Sequence, residues 1–381
     1  MRLRVLWACL VALVAAVAPP RLGAQASDAL YDRFNALSGW DFRRYSFDPG
    51  VGIKSISQWN LPLVLVTPVG RSLSVDLTSY LVSGRVETYA GTKETLSGLT
   101  DTQLRLLYTL RRDRAVASLS FNLPTGQHSL STGGFQVSGA VGSNYLSFPV
   151  SSFGTAFGMT GGLAYAQRVG EWNLGVSGSL RYLGSFAPFS NDTLTYSPGL
   201  EGRVRAGADR LLGQKARLLL GVTVSSFSTD VYSGSNALLS GWYSPGARVI
   251  VDAALIRVVG RATVTALAWD FYRRAGRSQV GPNLETRENV LNAELRVARP
   301  VGGGGRLQLE PMVAFRQWSP ADYRGGRLYS AGLAARYGIN DKVSANLSGR
   351  LDTGWINIRD RGFAFADLRG SGFTLWVRYQ R

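Results

Sequence analysis

Residues 373–381 alternate apolar and polar side chains at the period of a β-strand, and this alternation constrains the fold more than any other feature of the chain. The apolar residues of the segment share one face of such a strand: Phe373, Leu375, Val377 and Tyr379. The polar residues share the other face: Thr374, Arg378 and Gln380. A tilted strand of about ten residues with one apolar face and an aromatic residue near its end can cross the hydrocarbon layer of a membrane. The segment therefore predicts a transmembrane β-strand.

The same two-faced pattern recurs upstream. From Val51 onward, period-two stretches of about ten to fifteen residues follow one another, with clear alternation over residues 117–123, 172–182 and 343–352. Strands of soluble sandwiches and propellers are usually shorter, at about five or six residues. The longer stretches favour a transmembrane barrel. A mean hydropathy of +0.01 without a second long apolar run argues against a helical membrane protein.

Two kinds of connection alternate between these stretches. Tight turns are predicted around residues 68–70, 111–113, 169–171, 212–214, 259–261, 300–305 and 340–342. Longer polar segments cover residues 124–134, 188–193, 229–240, 275–285 and 319–326. Short turns on one rim and long loops on the other are typical of outer-membrane barrels. We therefore predict short periplasmic turns and long extracellular loops.

The number of strands follows from counting these segments. Fifteen candidates lie between Val51 and Arg381. Single-chain bacterial barrels have an even number of strands, so one assignment is wrong or the segment from Ser38 to Phe47 supplies another strand. We predict an all-β fold, a transmembrane antiparallel up-and-down β-barrel of 14 strands, with 16 as the alternative. A barrel of this size has a lumen wide enough for solutes.

The N-terminal residues 1–26 have the organisation of a signal peptide. Arg2 and Arg4 precede an apolar stretch, and residues 24–26 form a small-x-small cleavage site. Cleavage would leave a chain that begins at Ser27 and lacks Cys9, the only cysteine, so we expect no disulfide and no cysteine metal site. It would also remove Arg21 and lower the formal net charge from +17 to +14. Excess arginine in an exported chain does not indicate nucleic-acid binding.

The rest of the chain is predicted to form one domain. Residues 51–381 are assigned to the barrel, since no linker or break in composition divides them. Residues 27–50 do not alternate over enough length for a confident strand. They are compatible with a plug, a periplasmic tail or a short first strand, and the sequence leaves these alternatives open.

One stretch of about 30 residues resembles a known family. Residues 97–104 read SGLTDTQL, Tyr108 follows, and residues 120–126 read SFNLPTG. This order is similar to the pattern of the FadL-like and meta-pathway phenol-degradation outer-membrane transport proteins. The resemblance implies a monomeric barrel of about fourteen strands with an N-terminal hatch in the lumen. It also implies diffusion of hydrophobic compounds, with lateral exit through a strand defect.

Strand parity predicts which charged residues face the lumen. The candidates are Arg105, Arg181, Glu201, Arg203, Arg205, Glu294, Arg296, Arg336, Arg350 and Asp352. Arginines outnumber acids among them. One interpretation is an electropositive pore wall that favours anions or acidic head groups. The other is that arginines and acids pair across neighbouring strands to stabilise the wall or to hold a plug. The sequence favours neither.

Proline, histidine and cysteine are the residue types that bear on a lateral gate, a catalytic site and a metal site. Pro62 cannot donate to a β-ladder, so it is a candidate strand break and lateral gate. His128 is the only histidine, and it lies in a polar loop where Ser129 and Ser131 match no nucleophile arrangement, so we expect no catalytic residues and no enzymatic activity. One histidine and no cysteine in the exported chain leave little for a metal, and we expect no metal and no cofactor.

These observations together predict an outer-membrane channel for passive uptake of small hydrophobic or amphipathic molecules. A general anion-leaning porin is the alternative, and a barrel-borne hydrolase or a structural or adhesion barrel is a weaker one. The expected partners are outer-membrane lipid, a small-molecule solute and the barrel-assembly machinery during biogenesis, with no nucleic acid.

Overall fold

The computed structural model describes residues 34–111, 114–190, 193–234, 240–279, 286–302, 305–321, 325–358 and 364–381. The predicted signal peptide lies outside the described residues. The strands are β1 (Asn35–Phe47), β2 (Ile53–Val69), β3 (Leu73–Thr88), β4 (Lys93–Leu99), β5 (Thr102–Arg111), β6 (Ala115–Leu123), β7 (Gly158–Val169), β8 (Trp172–Leu183), β9 (Thr195–Ser197), β10 (Glu201–Leu212), β11 (Ala216–Phe227), β12 (Asp230–Ser233), β13 (Gly241–Ser244), β14 (Arg248–Val259), β15 (Ala262–Arg273), β16 (Arg277–Ser278), β17 (Glu288–Val301), β18 (Leu307–Pro320), β19 (Gly326–Gly338), β20 (Val343–Ile358) and β21 (Ala364–Gln380). A helix, α1 (Thr132–Val141), lies between β6 and β7.

Seventeen of these strands form one antiparallel sheet, and the sheet closes on itself because β1 pairs with both β2 and β21. β4 and β5 both pair with β3, at different heights, so they are two parts of one interrupted strand. Counted in this way, the described residues form a closed barrel of sixteen strands. The predicted antiparallel barrel is confirmed, the count of 14 is wrong, and the alternative of 16 is correct.

The missing strand is β1, Asn35–Phe47, within the segment that the sequence left open. It forms thirteen register pairs with β21 and ten with β2. Its residues alternate only weakly in polarity because the inner face carries both polar residues such as Asp41 and apolar residues such as Tyr45. The strand would therefore be missed by a search for period-two alternation.

The two rims differ as the sequence predicts. At one end, which we call the turn rim, short turns join consecutive barrel strands. Glycines with left-handed φ between 60° and 78° stand in these turns: Gly70, Gly170, Gly213, Gly260, Gly302 and Gly305. At the other end, the loop rim, four connections are long: residues 124–157, 184–200, 228–247 and 274–287. The connections that follow β1, β3, β18 and β20 at this rim span only four or five residues. β9, β12, β13 and β16 form a separate four-stranded sheet that extends the wall above β10–β15.

The outer face of the barrel is apolar. Large hydrophobic side chains are exposed on it along every part of the ring, among them Leu65, Leu81, Leu163, Leu180, Val222, Val251, Leu295, Val313, Leu351 and Leu375. They alternate with inward residues, so a one-residue shift in register would exchange the two faces. In the part of the chain that is described, no helix is long and apolar enough to cross a membrane.

The hydrophobic core lies inside the barrel. Residues 124–157, between β6 and β7, leave the wall and fold into the lumen, and we call them the inward loop. The loop contributes buried apolar residues to the core: Val137, Val141, Tyr145, Leu146, Phe148, Val150 and Phe153. They cluster with buried inner-wall residues that we call the apolar collar: Tyr45, Ile56, Val82, Val86, Leu96, Leu328, Ile356 and Leu368. Each such side chain removed from water contributes about 1.5–3 kcal/mol.

This arrangement corrects the expectation of an N-terminal hatch that the family resemblance raised. Residues 35–47 of the N-terminal segment are part of the wall, and residues 49–51 form a short 3-10 turn above it. Among the described residues, the segment that occupies the lumen comes from the connection between β6 and β7. The apolar residues among its 34 positions pack against the apolar collar and cover it from water in the lumen.

Candidate functional site

The inward loop is fixed to the β1–β2 side of the wall by hydrogen bonds to its backbone. The Gln58 amide donates to the carbonyl oxygen of Val150 at 2.7 Å and accepts from the backbone N–H of the same residue at 3.0 Å. The Tyr45 hydroxyl donates to the carbonyl oxygen of Leu146 at 3.0 Å. Gln58 and Tyr45 are nearly fully buried. Buried polar groups cost free energy unless they are paired, so these contacts specify one position for the loop.

The opposite side of the loop is fixed through Tyr145. Its hydroxyl donates to the carbonyl oxygen of Trp355 at 3.0 Å, and its own carbonyl accepts from Arg316 Nη1 at 2.9 Å. Its ring stacks on Trp318 with centroids 5.5 Å apart. Burial raises the pKa of the Tyr145 phenol, so this hydroxyl remains a donor. The loop therefore bridges the lumen from β1–β3 to β18–β20.

The base of the loop is held by one carboxylate, Asp101. One oxygen of Asp101 accepts from Asn122 Nδ2 at 2.7 Å and from both the backbone N–H and the hydroxyl of Thr155, at 2.7 and 2.8 Å. The other oxygen accepts from the backbone N–H of Gly126 at 3.1 Å. Gly126 lies where the loop leaves the wall, and Thr155 lies where it returns. Asp101 thus joins the two ends of the loop at the break between β4 and β5.

Asp101 stands in the stretch that carries the family resemblance. In the same stretch, Thr125 Oγ1 donates to the carbonyl of Thr100 and accepts from the backbone N–H of Thr102, both at 2.9 Å. The residues quoted for the resemblance therefore form the anchor of the inward loop. No local sequence pattern singles out Asp101, because its partners are between 21 and 54 residues away along the chain.

The inward loop itself carries no Asp, Glu, Lys or Arg. Its only titratable side chain besides Tyr145 is His128, which is exposed. No hydrogen bond from the His128 side chain to another described residue is found. The loop consequently presents a neutral surface to the lumen, and any charge along the lumen comes from the barrel wall.

The predicted lumen candidates share the inner face with the collar and the loop, and the structure brings most of them into ion pairs. The pairs across or along strands are Arg105 with Asp76, Arg181 and Arg203 with Glu201, Arg205 with Asp252, Arg296 with Glu294 and Glu310, and Arg350 with Asp352. We call this set the ion-pair wall. Arg336 lies near the turn rim, opposite Asn346 and Gln308, and no ion pair is found for it within the described ranges.

Of the two interpretations that the sequence left open, ion pairing is the one that the geometry displays, both across strands and along a single strand. Across strands, Arg181 of β8 lies 3.6 Å from Glu201 of β10. Arg205 of β10 lies 2.8 Å from Asp252 of β14. Along β10, Arg203 lies 2.6 Å from Glu201. The sequence candidates did not include three acidic partners of these arginines, namely Asp76, Asp252 and Glu310. The same argument from strand parity would have found them.

Two further arginines of the inner wall were also missed. Arg316 is buried, donates to Asn292 at 3.1 Å and to the loop carbonyl of Tyr145, and lies over the Trp269 ring at 5.6 Å. Arg43 donates to the loop carbonyl of Ser147. Both bind backbone oxygens, a role that leaves no pattern in the sequence.

A polar cavity of about 440 Å³ lies beside the loop, between β3 and β10. Its charged lining comprises Asp76, Arg105, Arg181, Glu201 and Arg203, with hydroxyl and amide side chains between them. Three arginines against two carboxylates leave this cavity with a small positive excess. A polar cavity of this kind suits water and small solutes with polar or anionic groups.

The wall is interrupted next to the loop. β6 ends at Leu123, opposite Thr102, so no strand of the described chain pairs with the second edge of β4. On this edge the Gln127 amide donates to the carbonyl of Ser97 at 3.2 Å. Leu99 and Phe157 lie exposed beside the interruption, and Phe153 of the loop lies buried behind it.

Pro62 lies on the inner face of β2, which continues through it. Between residues 55 and 66 of β2, the register pairs with β1 are interrupted only at residues 61 and 62, while the pairing of β2 with β3 continues through both positions. Its predicted role as a lateral gate stays a prediction. Within the described residues, no group of three His, Cys, Asp or Glu side chains could hold a metal.

Comparison with known proteins gives only distant matches. No protein-family model and no curated protein matches the chain. A loop-deletion mutant of OmpT, an outer membrane protein of Vibrio cholerae, is 10% identical with a TM-score of 0.46 and covers 91% of this chain and 98% of its own. A Pseudomonas aeruginosa FadL homologue is 10% identical with a TM-score of 0.47, covering 93% and 92%. An anion-selective porin from Comamonas acidovorans is 12% identical with a TM-score of 0.42, covering 91% and 98%. Similarities this low assign no family.

Proposed function

We propose that this chain is a channel of the bacterial outer membrane through which small hydrophobic or amphipathic molecules diffuse passively. A closed ring of sixteen strands with an apolar outer face is stable in a bilayer because the strand edges are paired around the ring, except at the second edge of β4, and the lipid meets apolar side chains. The predicted signal peptide is consistent with export to that membrane. Outer-membrane lipid and the barrel-assembly machinery are the partners that this location requires.

The observation that carries the proposal is the position of the inward loop behind the unpaired edge of β4. An apolar molecule that enters from the loop rim meets a neutral loop with buried apolar residues, and it does not have to pass the ion-pair wall. The interruption between β4 and the top of β7 then offers a route sideways into the hydrocarbon layer. Apolar molecules partition into that layer, because transfer out of water is favourable for them.

The test is to lock the loop in place. A Cβ atom on Gly84 of β3 would lie 2.9 Å from Val137 Cγ1, so Gly84→Cys with Val137→Cys places two thiols in contact between the wall and the inward loop. The chain from Ser27 has no other cysteine. After refolding into liposomes, we expect the disulfide to lower uptake of an apolar fluorescent probe by about fivefold, because the loop must yield for passage, and reduction to restore it. The two single-cysteine variants are the matched controls.

The second candidate function is a general anion-leaning porin, which the small positive excess of the polar cavity favours. That function requires a steady anion-selective current in a planar bilayer, unaffected by the disulfide and without uptake of the apolar probe. Such a result would overturn the hydrophobic route. We expect no enzymatic activity from either form of channel.

A further inference from the structure

An apolar groove of about 580 Å³ runs over the outer face of the barrel on β11, β14, β15, β17 and β18. Its floor is formed by Ala253, Ala268 and Ala293, which are paired in register at one level of the sheet. The larger side chains Leu220 and Phe315 stand on either side at the same level. Three neighbouring alanines lower the surface over a width of about 10 Å, since adjacent strands are about 4.8 Å apart. The groove is therefore a depression in the membrane-facing surface.

Two arginines lie at the turn-rim end of this groove. Arg257 is two residues beyond the lining residue Leu255 on β14, and Arg299 is four residues beyond the lining residue Leu295 on β17. By parity with Leu255 and Leu295, both arginines are on the outer face. Both are exposed, and no ion pair or hydrogen bond is found for either within the described chain. An apolar groove thus ends in two outward positive charges.

We infer that this groove binds an anionic phospholipid of the leaflet at the turn rim, with one acyl chain in the groove and the phosphate at Arg257 and Arg299. Guanidinium groups bind phosphate oxygens through paired, charge-assisted hydrogen bonds, and two of them near the turn rim select an anionic head group. Within the hydrocarbon layer the acyl chain gains no hydrophobic free energy, so close packing over the alanine floor supplies the affinity.

A second copy of the chain fits the groove less well. Two copies related by a twofold axis along the membrane normal would place the same arginines at the same depth and facing each other. Like charges brought together at an interface oppose association. The charge at the groove therefore favours an anionic lipid over a second barrel.

The inference is tested by lipid binding to the refolded chain in detergent, measured by native mass spectrometry with phosphatidylglycerol and with phosphatidylcholine of the same acyl chains. For the wild type we expect retention of phosphatidylglycerol over phosphatidylcholine. Arg257→Gln with Arg299→Gln should lower phosphatidylglycerol affinity about tenfold and abolish the preference. Ala268→Leu with Ala293→Leu fills the groove and should lower retention of both lipids.

Matched controls lie elsewhere on the same surfaces. Ala206→Leu adds the same bulk on the outer face of β10, and Arg71→Gln removes an exposed charge from another turn. Neither should change retention. Equal retention of the two lipids by the wild type, or undiminished retention after filling the groove, would overturn the inference. A dimer that Ala268→Leu converts to a monomer would overturn it too, in favour of a contact between copies. Heat-dependent gel mobility verifies that each variant is folded.

Discussion

Two sectors of the inner wall differ in polarity and in whether a loop covers them. On β1–β4 and β19–β21 the inner face near the loop rim is apolar and is covered by the inward loop. On β7, β8 and β10 the inner face carries small, hydroxyl and charged residues, and no loop in the described part of the chain covers it. An apolar residue inside a barrel needs cover from water, whereas Arg181 and Glu201 are satisfied by each other and by solvent. The polarity of the inner face thus determines where the lumen is filled.

The largest effect is expected from placing a charge in the apolar sector, because the inward loop should then no longer cover it. Val137 of the loop is fully buried in the cluster with the apolar collar. We expect Val137→Asp to displace the inward loop while the barrel still folds, because an unpaired buried charge costs several kcal/mol and the sixteen-strand ladder does not depend on this side chain. Single-channel recording should show a several-fold rise in conductance. Val137→Ala is the control, and equal conductance for both variants would contradict the covering role of the loop.

A smaller effect is expected from releasing the base of the loop. Asp101→Ala removes the acceptor for Asn122, Gly126 and Thr155, and a hydrogen bond to a charged group contributes about 1.5–3 kcal/mol. The collar contacts remain, so we expect a loop that opens intermittently. The measurements are current fluctuations and protease cleavage within residues 124–157. Asp101→Asn, which keeps one carbonyl acceptor, should lie between wild type and alanine. Wild-type behaviour of Asp101→Ala would show that the collar alone holds the loop.

The role of the uncovered sector is tested by changing its charge. Arg181→Gln with Arg203→Gln removes two of the three arginines that line the polar cavity and leaves Glu201 unpaired. We expect any ion current to shift toward cations by about twofold, read from the reversal potential in a salt gradient. Arg71→Gln with Arg261→Gln, on two turns, removes the same charge outside the cavity. If this control shifted the selectivity equally, the effect would belong to the net charge and not to the cavity.

The smallest effect is expected at His128. Its side chain is exposed at the start of the inward loop. We therefore expect His128→Ala to leave conductance and probe uptake unchanged. A lipid- or peptide-hydrolysing activity of the wild type that disappears in this variant would instead support the hydrolase alternative.

The barrel could be predicted from sequence because its outer face obeys a local rule. Lipid contact requires an apolar residue at every second position. The outward orientation of residues such as Leu375 and Val377 can therefore be predicted without knowing which strands lie beside them. Gly170 and Gly260 mark tight turns for the equally local reason that their φ is left-handed.

The filled lumen could not be predicted, because its rules are not local. Tyr45 looks like a lipid-facing residue until the loop residue Leu146, 101 positions away, is known to cover it. Asp101 and Arg316 act through partners from distant elements, and residues 124–134 have the polar composition of an ordinary surface loop. Parity alone placed Arg203 and Glu294 on the inner face but could not say whether they act as free charges or as pairs.

The pairing of β1 with β21 has a consequence for how the barrel is made. Thirteen register pairs join residues 35–47 to residues 368–380, which are more than 320 positions apart, so this ladder has the highest sequence separation in the ring. Bringing such distant segments together costs loop-closure entropy before any contact is gained. Until the last strand arrives, β1 and the growing end of the sheet are both open edges, which are sites of aggregation. The seam can therefore form only after both strands are present, so every residue between them must be synthesised before the ring can close.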